Sequence, residues 1–377
     1  MKITHASVFQ EDGSFLVQDI CFENGIFCQE SAGPEVDASG LYAIPGLTDI
    51  HFHGCVGYDF CDGTEEAIRA MAAYEVKNGI TTITPATMTF SEEILTGICR
   101  TAAAYKAAQD ASPEPLAILE GINMEGPFIS PAKKGAQNGL YIHKPDVPMF
   151  LRLQKAAGGL FKLVDIAPEE EGAMEFIDAL KNQVAISLAH TTADYDTAKE
   201  AYDRGACHAT HLYNAMPSFS HRAPGVIGAA CDSPHVRAEL ICDGIHLHPA
   251  AVRTTFKMFG DDRLILISDS MMATGLNDGE YALGGQPVTV RGNLATLADG
   301  TIAGSATNLM DCVRTAVKKM DIPLGSAVKC AAVNSAKAVG IYDRYGSITP
   351  GKTANLVLLD KDLNLKTVYL RGISIAL

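Results

Sequence analysis

Two histidines separated by one residue, His51 and His53 in the stretch GLTDIHFHG, are the first chemically suggestive pair in this chain. On a strand, side chains two residues apart point to the same face. Two imidazoles side by side are either half of a metal site or a packing coincidence, and further ligands must decide. The chain offers them: Glu125, His190, His211, His246 and Asp269 fall at the ends of the strand-like runs LAILEGINMEG, QVAISLAHTT, ACHATHLYNAM, VRAELICDGIH and DRLILISDSM. Each one alone reads equally well as a buried side chain satisfied by backbone. Together with the histidine pair they put metal-type side chains at the same end of six of eight strand-like runs, which predicts a metal centre.

The donor set is nitrogen and oxygen without thiolate, which suits zinc or iron as the divalent ion. Such an ion lowers the pKa of a bound water towards about 7, so hydroxide is available at neutral pH. A carboxylate not fully used as a ligand can take the proton and hand it to a leaving group. Asp269, straight after the apolar run LILIS, is the candidate, set against a simpler reading as a helix N-cap. The chemistry predicted is metal-assisted hydrolysis of a C–N bond or an ester.

Side chains spread this widely need a scaffold that gathers them. Eight strand-like runs cover residues 46–54, 79–89, 116–126, 161–169, 183–192, 206–216, 236–246 and 262–271. Helical patterns lie between most of them, among them 64–79, 91–110, 169–182, 192–205 and 248–260. Thr64, Ser91 and Thr192 read as N-caps, Gly79 and Gly205 as stops. Strands alternating with helices predict parallel pairing. Eight such units predict an α/β fold, a (β/α)8 TIM-type barrel with its active site at the C-terminal ends of the strands. A doubly wound open sheet competes, but no GxGxxG follows an early strand.

The two ends differ. Residues 1–45 and 345–377 carry short strand pieces and no long helix pattern, which predicts a small flanking β-sandwich domain built from both termini. The barrel then spans 46–344, with a β-ribbon insertion near 275–303 and a helical stretch near 306–320.

A net charge of −14 argues against nucleic-acid or anionic-membrane binding, although a local arginine can still hold a small anion. No apolar run approaches about 18 residues, so no membrane span is expected. The start, MKITHASVFQ, lacks the apolar core of a signal peptide. The ten cysteines are scattered without a CxxC pair and read as reduced thiols of a cytoplasmic protein.

Several stretches in chain order complete the picture: MEGPF (124–128), KKGAQN (133–138), LAHT (188–191), HATHLYNAM (208–216), HRAPG (221–225), DGIH (243–246), SDS (268–270), IAGSA (302–306) and GSITPGKTANLVLLD near the end. In these the chain resembles the amidohydrolase superfamily, and within it the N-acetylglucosamine-6-phosphate deacetylase family. The resemblance implies that Glu125, His190 and His211 hold a divalent metal. His51 and His53 would add a second ion with Glu125 bridging, one or two per subunit. Asp269 would act as the acid/base. The substrate implied is a phosphorylated N-acetyl amino sugar. Ala136, Gln137, Asn214, Ala215 and His246 would contact it, and Ile302, Ala303 and Gly304 would line its pocket with backbone. Arg222 would bind the phosphate, reaching in from the partner of a homodimer. Many members carry a histidine where this chain has Gln137, and His143 is a possible substitute to polarise the acetyl carbonyl. His208 and His221 read as structural or peripheral.

Three other functions stand beside this one. They are the N-acetylgalactosamine 6-phosphate epimer as substrate, another amidohydrolase acting on a cyclic amide, and a catalytically silent sugar-phosphate sensor. The last would predict a missing ligand or a missing Asp269, and none is missing.

Overall fold

The structure is a computed structural model describing residues 1–377. Its centre is a series of parallel strands: Leu47–Asp49, Ile80–Ile83, Ile118–Leu119 continued by Ile122–Met124, Phe161–Ile166, Ala185–Leu188, His208–Ala209, Arg237–Ile241 and Leu264–Ile267. Neighbours pair in chain order, parallel throughout. The third strand is in two pieces, one paired with the second strand and one with the fourth. Runs such as ITTI and LILI are buried at every residue, as parallel strands covered by helices must be. The sheet curls, because Asp269 N–H donates to His51 O at 2.9 Å and His53 N–H to Ser270 O at 2.7 Å. The segments following the eighth and the first strands therefore lie side by side.

Helices fill the crossovers, and most of the longer ones start from a side-chain cap. Thr64 caps Glu65–Lys77 and Ser91 caps Glu92–Ala111, as expected. Thr192 does not cap; its hydroxyl donates to Glu169 at 2.9 Å, and Asp194 caps Tyr195–Arg204 instead. One helix that the pattern reading passed over, Val147–Ala156, is capped by Asp146 and carries its proline in the first turn, where a missing N–H costs nothing.

The paired strands are shorter than the apolar runs suggested. The first ends at Asp49, so His51 and His53 lie beyond it and strand alternation is not what aligns them. The chain bends sharply at other functional positions too. His190 (φ 44°), His211 (φ 27°) and Asp269 (φ 49°) all adopt left-handed backbone, which is uncommon for residues other than glycine and clusters at functional sites.

Strands from both termini share one sheet. Its order runs from Ile373–Ile375 through Leu365–Leu370, Leu356–Leu359, Tyr42–Pro45 and Lys2–Phe9 to Phe15–Glu23 and Ile26–Cys28, with Glu35–Asp37 on Lys2–Phe9. It is hydrogen-bonded as one continuous sheet where a two-sheet sandwich was expected. An Ile26–Thr353 bridge turns its far edge back towards the C-terminal segment, around a small core that includes Ile3, Val8, Phe22 and Leu356. After the eighth parallel strand comes a three-stranded antiparallel ribbon, Gly279–Leu283, Gln286–Arg291 and Leu294–Thr296, then the helix Leu309–Met320. No helix is long and apolar enough to cross a membrane.

Candidate metal centre

Glu125 stands at the middle of the site. It follows the strand Ile122–Met124 directly and is 2% exposed. The next residue, Gly126, has φ +78°, and a Cβ there would come within 2.1 Å of Thr89 Oγ1, so only glycine lets the chain leave Glu125 by this route. Glu125 Oε1 lies 3.0 Å from both His190 Nε2 and His211 Nε2, and those two nitrogens are 3.2 Å apart. Its other oxygen, Oε2, lies 3.2 Å from His53 Nε2, while His51 Nε2 is 3.5 Å from Oε1. One carboxylate thus serves two clusters, His51–His53–Glu125 and Glu125–His190–His211, each with its ligand atoms within 4.8 Å of one another.

The proton positions follow from the outer partners. His190 Nδ1 faces Lys133 O at 2.8 Å, and a carbonyl only accepts, so this nitrogen carries the hydrogen. His51 Nδ1 faces the carboxylate of Glu239 at 3.0 Å. In the neutral rings both Nε2 atoms then present lone pairs to the centre, and His51 Nε2 has no hydrogen-bond partner although fully buried. Lone pairs converging on a carboxylate away from water need a cation between them. The residues therefore fit a divalent ion.

Charge runs the same way. Burial would lower His53, yet Asp269 and Glu125 raise it to about 10. Burial pushes Glu125 and Asp269 up, yet the surrounding imidazoles hold both below the usual carboxylate range. The carboxylates draw positive charge to this spot, as protons or as a metal ion. Asp269 Oδ1 lies 3.3 Å from His53 Nε2 and 3.8 Å from His51 Nε2, at the edge of the cluster.

Above the cluster opens a cavity of about 360 Å³, lined by His53, Glu125, His190, His211 and Asp269 and by Ala136, Gln137, Asn214, Ala215, His246, Ile302 and Gly304. Gln137 is fixed in orientation. Its oxygen accepts from Thr89 N–H at 2.7 Å, so its amide nitrogen faces Glu125 Oε2, at 2.6 Å. His246 Nδ1 is held by Asp243 at 2.8 Å. Three residues lie elsewhere. Ala303 is fully buried in the ribbon's own apolar cluster, so only its neighbours Ile302 and Gly304 face the cavity. Arg222 is exposed and donates to His221 Nε2 at 2.9 Å, outside the cavity of its own chain. His143 is exposed and bonded to Lys144 O, away from the place where Gln137 sits.

Sequence reasoning missed Lys133, Thr301 and Leu283, which also line the cavity, and Glu239 and Asp243, which hold site histidines from behind. A lone glutamate inside the apolar run VRAELIC was the available signal for Glu239.

The amidohydrolase family profile matches residues 42–374, so the chain belongs to the amidohydrolase family. The chain is 42% identical to the N-acetylglucosamine-6-phosphate deacetylase of Bacillus subtilis (strain 168), over 87% of this chain and 83% of that protein. It is 31% identical to the N-acetylgalactosamine-6-phosphate deacetylase of Escherichia coli O157:H7, over 87% and 86% of the two chains. Its fold matches a mutant N-acetyl-D-glucosamine-6-phosphate deacetylase from Mycobacterium smegmatis, solved with N-acetyl-D-glucosamine-6-phosphate. That match has a TM-score of 0.92 and 30% identity and covers 99% and 98% of the chains.

Proposed function

We propose that this chain hydrolyses the acetamide of N-acetylglucosamine 6-phosphate to glucosamine 6-phosphate and acetate. The observation that carries this reading is the buried Glu125–histidine cluster with Asp269 on its edge, at the floor of a cavity large enough for a sugar phosphate. The identity to deacetylases of such sugars supports it.

His190, His211 and Glu125 would hold one divalent ion, and His51 and His53 a second that shares Glu125, with zinc or iron the expected metals. An ion there supplies Lewis-acid polarisation of the acetyl oxygen and an activated water. Asp269 takes the proton of the attacking water. The water oxygen bonds to the acetyl carbon, the C–N bond breaks, and the amine leaves with the proton carried over by Asp269. Gln137 presents an amide N–H at the cavity where the acetyl oxygen builds up charge. His246, held by Asp243, and Asn214 face the sugar. Arg222, outside its own chain's cavity, binds the phosphate in a partner's site, which makes the working unit a homodimer.

The curled parallel strands of residues 46–344 are read as a closed (β/α)8 barrel, and residues 1–45 with 345–377 as a separate small β domain. Support comes from the contact between the ends of the first and eighth strands and from the separate core of the terminal sheet. Ten free thiols support a cytoplasmic location.

The test is acetate release from N-acetylglucosamine 6-phosphate by purified protein, with chelation and metal add-back. Release indifferent to chelation would sink the metal mechanism. The relative from Escherichia coli O157:H7 favours one second reading, N-acetylgalactosamine 6-phosphate as substrate. The ratio of kcat/KM on the two epimers decides between them.

A further inference from the structure

Resting on the metal-dependent reading above, we infer that Glu239 is a positioning residue that holds one ligand from each of the two clusters in register. Glu239 lies inside the strand Arg237–Ile241 and is fully buried. A buried carboxylate is ordinarily matched by arginine or lysine. Glu239 touches neither. Its Oε2 accepts from His51 Nδ1 at 3.0 Å and from the backbone N–H of His211 at 3.1 Å, and its Oε1 accepts from His208 Nε2 at 3.0 Å. Every one of these donors belongs to the metal centre or stands directly behind it.

Two consequences follow for the centre. The carboxylate keeps the hydrogen of His51 on Nδ1, which leaves Nε2 as a lone pair aimed inward, 3.5 Å from Glu125 Oε1. It also grips the N–H of His211 where that residue holds left-handed backbone at φ 27°, a conformation that persists only when its surroundings enforce it. His211 Nε2 in turn lies 3.0 Å from the same Glu125 oxygen. Glu239 therefore couples the His51 side of the centre to the His211 side from behind, without touching the cavity. His208 steadies the second oxygen of Glu239 from behind the centre.

The experiment compares wild type with Glu239→Gln, His51→Asn and the double variant. Bound metal is counted by elemental analysis, and Co²⁺ affinity is read from visible absorbance. A glutamine keeps the volume but removes the charge behind His51: with its oxygen kept on His51 Nδ1 and the His211 N–H, its NH2 is set against His208 Nε2. The expected result is about 10- to 100-fold weaker binding of the His51-side ion, with the other ion changed much less. In the His51→Asn background Glu239→Gln should add little to the loss at the His51-side ion, because there it acts through a ligand already gone. Unchanged affinity in Glu239→Gln overturns the inference. So does a full additional loss at the His51-side ion in the double variant, which would mark a general structural role. If Glu239→Gln does not fold by circular dichroism, Glu239→Asp carries the same test, since it keeps the charge but draws the acceptor back. A wild-type chain that binds no ion overturns the metal reading and this inference together. Ion binding that depends on Glu239 without acetate release overturns the substrate reading alone.

Discussion

Glu120 directly follows the first piece of the third strand and Glu125 the second; both are almost fully buried, and they are neutralised in opposite ways. Glu120 receives Arg344 at 2.9 and 2.7 Å in a two-pronged pair, and the Tyr345 hydroxyl at 2.9 Å. Its charge is met permanently, by a guanidinium that cannot give up its proton. Glu125 receives no guanidinium, only imidazoles, whose protons can be exchanged for a metal ion, and the neutral amide of Gln137. The same residue type, placed just after each piece of one strand, is thus a brace in one place and a candidate metal ligand in the other. The partner decides which.

Four predictions test this contrast. Chelation is expected to abolish acetate release and to leave the Glu120–Arg344 pair untouched, which activity assays with and without added metal will check. Asp269→Asn should lower kcat by about 10²–10⁴-fold, the range of a lost acid/base group, at unchanged metal content. Arg344→Ala should destabilise the fold by about 2 kcal/mol, measured by urea unfolding. That is below the cost of stripping a fully buried pair, because the arginine is half exposed, and metal content should not change. The smallest effect is expected from Gln137→Leu. It loses one hydrogen bond to Glu125, the one from Thr89 N–H and one donor to the cavity, which should lower kcat about tenfold in steady-state assays while melting falls by a few degrees.

The contrast also explains what could be read in advance. His51, His53, Glu125, His190, His211 and Asp269 were legible because each is a polar side chain ending an apolar run, and the end of a parallel strand is where such groups converge. Their actual alignment was not, since it depends on segments beyond the strands and on left-handed bends at His190, His211 and Asp269. Glu239 escaped because a lone acid in a strand usually points to solvent, and only the assembled neighbours show that it does not. The helix Val147–Ala156 escaped because its first-turn proline reads as a break. Arg222 lies outside the cavity of its own chain, so nothing in that cavity's geometry assigns it a role.

The ribbon after the eighth strand has a consequence of a different kind. It contributes Leu283 to the cavity wall, and its Gln286 side chain donates to Ala136 O on the opposite lip. Its inner face packs Leu283, Val288, Val290 and Ala295 with Ala303 and Met271 into a cluster of their own, and none of the metal-type ligands is among them. Drift in the ribbon can therefore reshape what the mouth admits while the hydrolytic floor stays intact. A lineage with this layout could explore new sugars by changing one wall, without first having to survive the loss of its chemistry.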